Sequence, residues 1–98
     1  MSESMTFKLA EHGRSFLTRD QAALLRRDLE THLRSGRDIT VDLMKVTTIT
    51  PSFADELLGR LLLVLGPTEF RKRITLVSES SETRRLLNKV LSHRMKEY

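Results

Sequence analysis

The chain has 98 residues, 39% of them hydrophobic and 31% charged, with a formal net charge of +4 and no cysteine. A chain of this length buries upwards of ~60% of the surface its unfolded form exposes, so a single domain spanning residues 1–98 is expected. The missing thiol excludes thiolate catalysis, disulfides and cysteine-ligated zinc; no apolar run approaches the ~20 residues of a membrane span, the first residues lack a basic-then-apolar leader pattern, and a cytoplasmic location is expected.

At the N-terminus Met5, Phe7 and Leu9 alternate with Thr6 and Lys8, the period of a half-buried strand. "AEHG" is turn chemistry, and "RSFL" after it reads as a return strand completing a hairpin. Thr18 stands three residues before Gln21 in a capping-box arrangement. Ala22, Leu25, Leu29 and Leu33 then recur at helical spacing until Gly36 ends the helix. In "DITVDLM", Ile39, Val41 and Leu43 share one face of a central strand. A second helix runs from Thr50 to Leu65, stopped by Gly66 and Pro67, and is apolar around most of its girdle. It must be covered on two sides, or meet a partner as well as the sheet. Gly59 in its middle is about 1 kcal/mol worse than Ala, which points to close packing there. "RITLV", Arg73 to Val77, is a short strand. The last helix turns Leu86, Leu87, Val90, Leu91 and Met95 inward, with Arg84, Arg85, Lys89 and Lys96 mostly off that stripe. The order β-β-α-β-α-β-α predicts an α/β fold: a small mixed four-stranded sheet with about three helices and right-handed crossovers.

The joint "TITPSF" is a helix start on local chemistry alone. Thr50 is a good N-cap and Pro51 suits the first helical position, where no N–H is missed. The same geometry leaves the hydroxyls of Thr50 and Ser52 where a phosphoryl group is tolerated, while Asp55 and Glu56 suit the helix dipole and would repel a phosphate they faced. Catalytic signatures are missing. His12, His32 and His93 are scattered, Asp28 and His32 make at most a surface pair, and there is no nucleophile elbow, phosphate-binding loop or zinc-protease pattern. A non-enzymatic protein without metal or cofactor is expected.

"ITVDLMKVTTITPSFADELLGRLL" resembles the signature of STAS domains, the fold of the bacterial anti-sigma factor antagonists: a strand ending in Asp-Leu, a link through Val, and a corner opening a helix that contains Gly. "SFLTRDQAALL", "VDLMKVTTITPSFADELL" and "EFRKRITLV" resemble a smaller STAS-like family, and the similarity runs from about Phe7 to Leu91. The resemblance implies a regulatory protein-interaction module. In the antagonists a kinase of the histidine-kinase ATPase fold phosphorylates the first Ser of an Asp-Ser-Ser-Gly corner. Here Thr50 holds the Asp place, Pro51 the acceptor place, Ser52 that of the second Ser and Phe53 that of the Gly. Pro51 has no hydroxyl, so phosphorylation would pass to Ser52 or Thr50. The expected partner-binding residues are Thr50, Ser52, Asp55, Glu56 and Arg60, and the expected partner is a signalling protein such as a histidine-kinase-like ATPase.

The alternative is a small basic nucleic-acid-binding domain. Eight Lys or Arg against three Glu lie between Phe70 and Tyr98, and Arg71, Lys72, Arg84 and Arg85 would contact phosphates from one basic flank. Against it, the phenylalanines sit at core positions rather than among the basic residues, as stacking on bases would require. A homodimer burying the apolar surplus of the second helix is a third reading.

Overall fold

The computed structural model describes residues 3–97. In chain order these form β1 (Glu3–Lys8), a 3-10 turn (Leu9–His12), β2 (Ser15–Phe16), α1 (Arg19–Arg34), β3 (Arg37–Asp42) and β4 (Thr48–Ile49). There follow α2 (Pro51–Ala54), which runs through a π-helical turn (Asp55–Gly59) into α3 (Arg60–Leu65), then α4 (Pro67–Arg73), β5 (Ile74–Val77) and α5 (Ser81–Met95).

The expected α/β architecture is present, with two parallel sheets in place of one mixed sheet. β1, β3 and β5 make a three-stranded sheet in that order, and β2 pairs with β4 in a sheet of two. The expected hairpin does not form. Leu9 is drawn wholly into the core by the 3-10 turn, and the His12 ring stacks on Phe7 at 4.5 Å, so the chain crosses over the sheet rather than reversing beside it. Phe16, also fully buried, then meets Phe53 at 5.2 Å, which carries β2 to β4 instead of β1.

Alternation decides which face of the larger sheet is covered. Phe7, Ile39, Val41 and Ile74 are buried, while Ser4, Thr6, Lys8 and Thr75 on the opposite face are exposed. Both crossovers step in the same direction along the sheet, and right-handed connections of that kind place their helices on one side.

Each expected helix start is realised by its cap. Thr18 Oγ1 accepts from Gln21 N at 3.2 Å, and Gln21 Oε1 accepts from Leu17 N at 3.2 Å. Gly36 follows α1 at φ +86, a left-handed conformation that a side chain would strain. The second helix, residues 51–65, lies between α1 on one side and α5 on the other, which accounts for its apolar girdle: Phe53, Leu57, Leu58, Leu61 and Leu62 are buried, and Val64 is left 70% exposed. This helix ends at Leu65 as expected, with Gly66 at φ +84 turning the chain, and Pro67 beyond it opens α4. Proline suits both the stop after one helix and the first position of the next. Arg71 and Lys72 are consequently helical, and the final strand begins at Ile74. Among the described residues no helix is long and apolar enough to cross a membrane.

Candidate interaction site at the start of the second helix

Past the carboxyl end of β3 the chain makes a tight corner before the second helix begins. Asp42 Oδ1 accepts from Met44 N at 2.8 Å, Lys45 adopts φ 67, and its N–H donates to Glu79 Oε1 at 3.2 Å. β4 then aligns beside β2, so both leading helices start from neighbouring strands. Thr50 joins them. Its N–H donates to Phe16 O at 3.0 Å, its hydroxyl donates to Leu17 O at 2.8 Å, and the same oxygen accepts from Phe53 N at 3.1 Å. That hydroxyl has spent its proton and taken a cap bond, so Thr50 is a structural cap. Ser52 differs: it is exposed, and its hydroxyl makes no hydrogen bond among the described residues.

The two acids that follow are engaged inward by arginines. Arg94 grips Asp55 bidentately, Nε at 2.6 Å and Nη2 at 2.8 Å, and Arg19 Nη1 adds a bond at 2.8 Å. The Arg94 bonds, then those of Arg19, outweigh burial and hold the Asp55 carboxyl at about 2 against an ordinary 3.8. Arg94 is raised in return, chiefly by Asp55. Glu56 is 8% exposed, which corrects its expected place on the docking face. Arg26 Nη1 donates to its carboxylate and, at 2.8 Å, to its main-chain oxygen; Arg19 Nη1 lies at 3.3 Å and Arg60 Nε at 3.4 Å. Burial would raise the Glu56 carboxyl, but Arg26 and Arg19 prevail and lower it. Arg60 itself is exposed beyond that contact.

Gly59 explains why the helix tolerates a glycine here. A Cβ on it would stand 2.6 Å from Asp55 Oδ1 and 3.0 Å from Arg94 Cγ. The close packing expected at this position is therefore with an ion pair, and the π-helical turn that holds Asp55, Glu56 and Gly59 is the segment around which the arginines gather.

A cleft of about 700 Å³ opens between the first turn of the second helix and α5. Pro51 and Ser52 line one wall and Leu86, Lys89, Val90 and His93 the other, with the Asp55–Arg94 pair also reaching its surface. Of the expected stripe on α5 only Leu87 is fully buried; Leu86, Val90 and Leu91 are half-buried, so the cleft retains apolar surface.

The four cations of the alternative reading lie on two helices. Arg71 and Lys72 lie in the last turn of α4 at the amino end of β5, whereas Arg84 and Arg85 lie in α5 beyond its carboxyl end. α5 folds back beside α4, and Arg71 shares a surface recess with Asn88, Leu91 and Ser92. Lys72 also approaches Glu69 at 4.0 Å, and Arg84 Nη1 donates to Ser78 O at 3.4 Å. Arg73 is structural, its Nη2 donating to Leu33 O at 2.8 Å and Arg37 O at 2.9 Å. His32 Nδ1 meets Arg37 Nη1 at 3.1 Å in place of Asp28.

A protein-family model described as a STAS-like domain of unknown function (DUF4325) matches residues 21–84, more than half of the chain. The chain belongs to this family. Neither a curated protein nor a solved structure matches it. The STAS-like match covers the corner, the buried acids and Gly59, and stops at the start of α5, so Arg19 and most of the α5 wall of the cleft lie outside it.

Proposed function

We propose that this STAS-like chain is a non-enzymatic regulatory module of the anti-sigma factor antagonist kind, docking a signalling protein through the Thr50–Asp55 corner and the cleft beside it. Phosphorylation at Ser52 controls that docking. A histidine-kinase-like ATPase is the partner class that the family resemblance favours.

One observation carries the reading: at this corner Ser52 alone offers an uncommitted hydroxyl, while Thr50, Asp55 and Glu56 are tied into the fold. The inward neutralisation of both acids removes the repulsion they would otherwise exert on a phosphate. The burial of Phe7, Phe16, Phe53 and Phe70 in the core, away from the basic residues, supports this reading over the nucleic-acid one. Intact-mass measurement after incubation with an ATPase of the histidine-kinase fold and ATP tests it, together with calorimetric titration of the same pair. One added phosphate is expected on the wild type and none on Ser52→Ala, with Ser52→Glu altering affinity by about tenfold or more. Phosphate confined to other residues, or an affinity indifferent to Ser52→Glu, would remove the proposal.

A further inference from the structure

Once the ion pairs of the cleft are assigned, its cations outnumber its acids. Both of its carboxylates are occupied, Asp55 by Arg94 and Arg19 and Glu97 by Arg94 Nη1 at 2.8 Å. Lys89 and Lys96 line the same cleft and make no ion pair or hydrogen bond among the described residues. They lie seven positions apart, Lys89 on α5 and Lys96 at its C-cap in helical conformation, with His93 between them, so all three fall on one stripe. The remainder of the lining includes Pro51, Leu86 and Val90 and, among the described residues, no phenylalanine, tyrosine or tryptophan. The surface therefore joins unpaired positive charge to aliphatic contact.

Building on the docking surface proposed above, we infer that the cleft receives an acidic segment of the protein partner: an extended stretch whose two carboxylates pair with Lys89 and Lys96 while an apolar side chain between them seats beside Val90. The spacing follows from the helix. Seven residues at ~1.5 Å each separate the two lysine positions by roughly 10 Å; an extended chain turns alternate side chains to one face, so acids at its first and fifth positions, roughly 13 Å apart at ~3.3 Å per residue, come within reach of the long lysine side chains with the third residue facing the helix between them. The recognised pattern is a Glu or Asp at the first and fifth positions with an aliphatic residue at the third. Charge complementarity steers the encounter, and the aliphatic contact supplies the burial.

Fluorescence anisotropy with the full chain and a short labelled peptide carrying this Glu-x-Leu-x-Glu pattern tests the inference, against the same peptide with Gln for Glu and a single-stranded oligonucleotide of equal length. The acidic peptide is expected to bind the wild type. Lys89→Glu with Lys96→Glu weakens it at least about tenfold, and the milder Lys89→Gln with Lys96→Gln weakens it less in the same direction. Arg71→Glu with Lys72→Glu, on α4, leaves it unchanged. Equal loss in the α4 variant, equal binding of the Gln peptide, or tighter binding of the oligonucleotide with the same lysine dependence overturns the inference. A photo-crosslinker at position 52 separates this failure from that of the docking surface: a crosslinked partner that survives both lysine reversals removes the acidic segment and leaves the surface standing. No crosslink in the wild type removes the surface and the inference with it.

Discussion

Replacing Asp55 by Asn keeps the side chain's shape and removes the charge that two arginines hold. The carboxyl titrates at about 2 in the folded chain against an ordinary 3.8, chiefly through Arg94. A shift of nearly two pH units, at about 1.4 kcal/mol per unit, amounts to roughly 2 kcal/mol. The Asp55 side chain is only 16% exposed, so solvent screening removes little of this. Because the folded value is the lower one, the contribution is complete above 3.8 and disappears as pH falls through about 2. Urea unfolding of the wild type and Asp55→Asn at a series of pH values measures it. At neutral pH the variant should unfold with about 2 kcal/mol less stability and an unchanged denaturant slope, and the gap should shrink to a few tenths by pH about 2. Glu56 also titrates low but is common to both proteins, so it cancels in the difference. A gap that is absent at neutral pH, or that persists unchanged into acid, would refute the ion-pair account.

Gly59→Ala should destabilise the wild type by about 1 kcal/mol, because the displaced Asp55–Arg94 pair outweighs the ~1 kcal/mol of helix propensity gained; in an Asp55→Ala background the same change should become neutral or stabilising, a sign reversal visible in denaturant midpoints. Thr50→Ala should lose about 1–2 kcal/mol in the same assay, whereas Ser52→Ala should stay within about 0.5 kcal/mol. Glu56→Gln should lower stability by about 2 kcal/mol by removing the more buried of Arg26's two carboxylate partners, Glu30 at 3.3 Å remaining, and thermal unfolding of the two proteins side by side would show it.

The parts legible in the sequence were those governed by neighbours in the chain. Thr18 and Thr50 announce their helices because a cap and the N–H it bonds lie three residues apart. The buried faces of β1 and β3 follow from alternation. β2 illustrates the limit: two residues carry almost no pattern, and its strand partner was decided by where Phe16 found Phe53, far along the chain. α4 was hidden because Gly-Pro ends one helix and begins another with the same chemistry. The arginine network was invisible for a similar reason. Arg26 and Glu56 are 30 positions apart and Asp55 and Arg94 are 39, so no local spacing relates them. One signal did point there: a glycine inside a helix, one turn after an acid, asks what occupies the space of its missing side chain. The cleft, in turn, depends on how α5 folds back beside the corner, which its own stripe of leucines does not determine.

The central claim is that this corner and the α5 wall opposite it form the surface through which the chain meets its partner. Photo-crosslinking in living cells tests it most directly, with the crosslinker placed in turn at Ser52, His93, Lys72 and Arg85. The account predicts one protein adduct of the same mass from positions 52 and 93, reduced by Lys89→Glu with Lys96→Glu, and none from positions 72 and 85. An adduct formed from position 72 or 85 while positions 52 and 93 remain silent would contradict it.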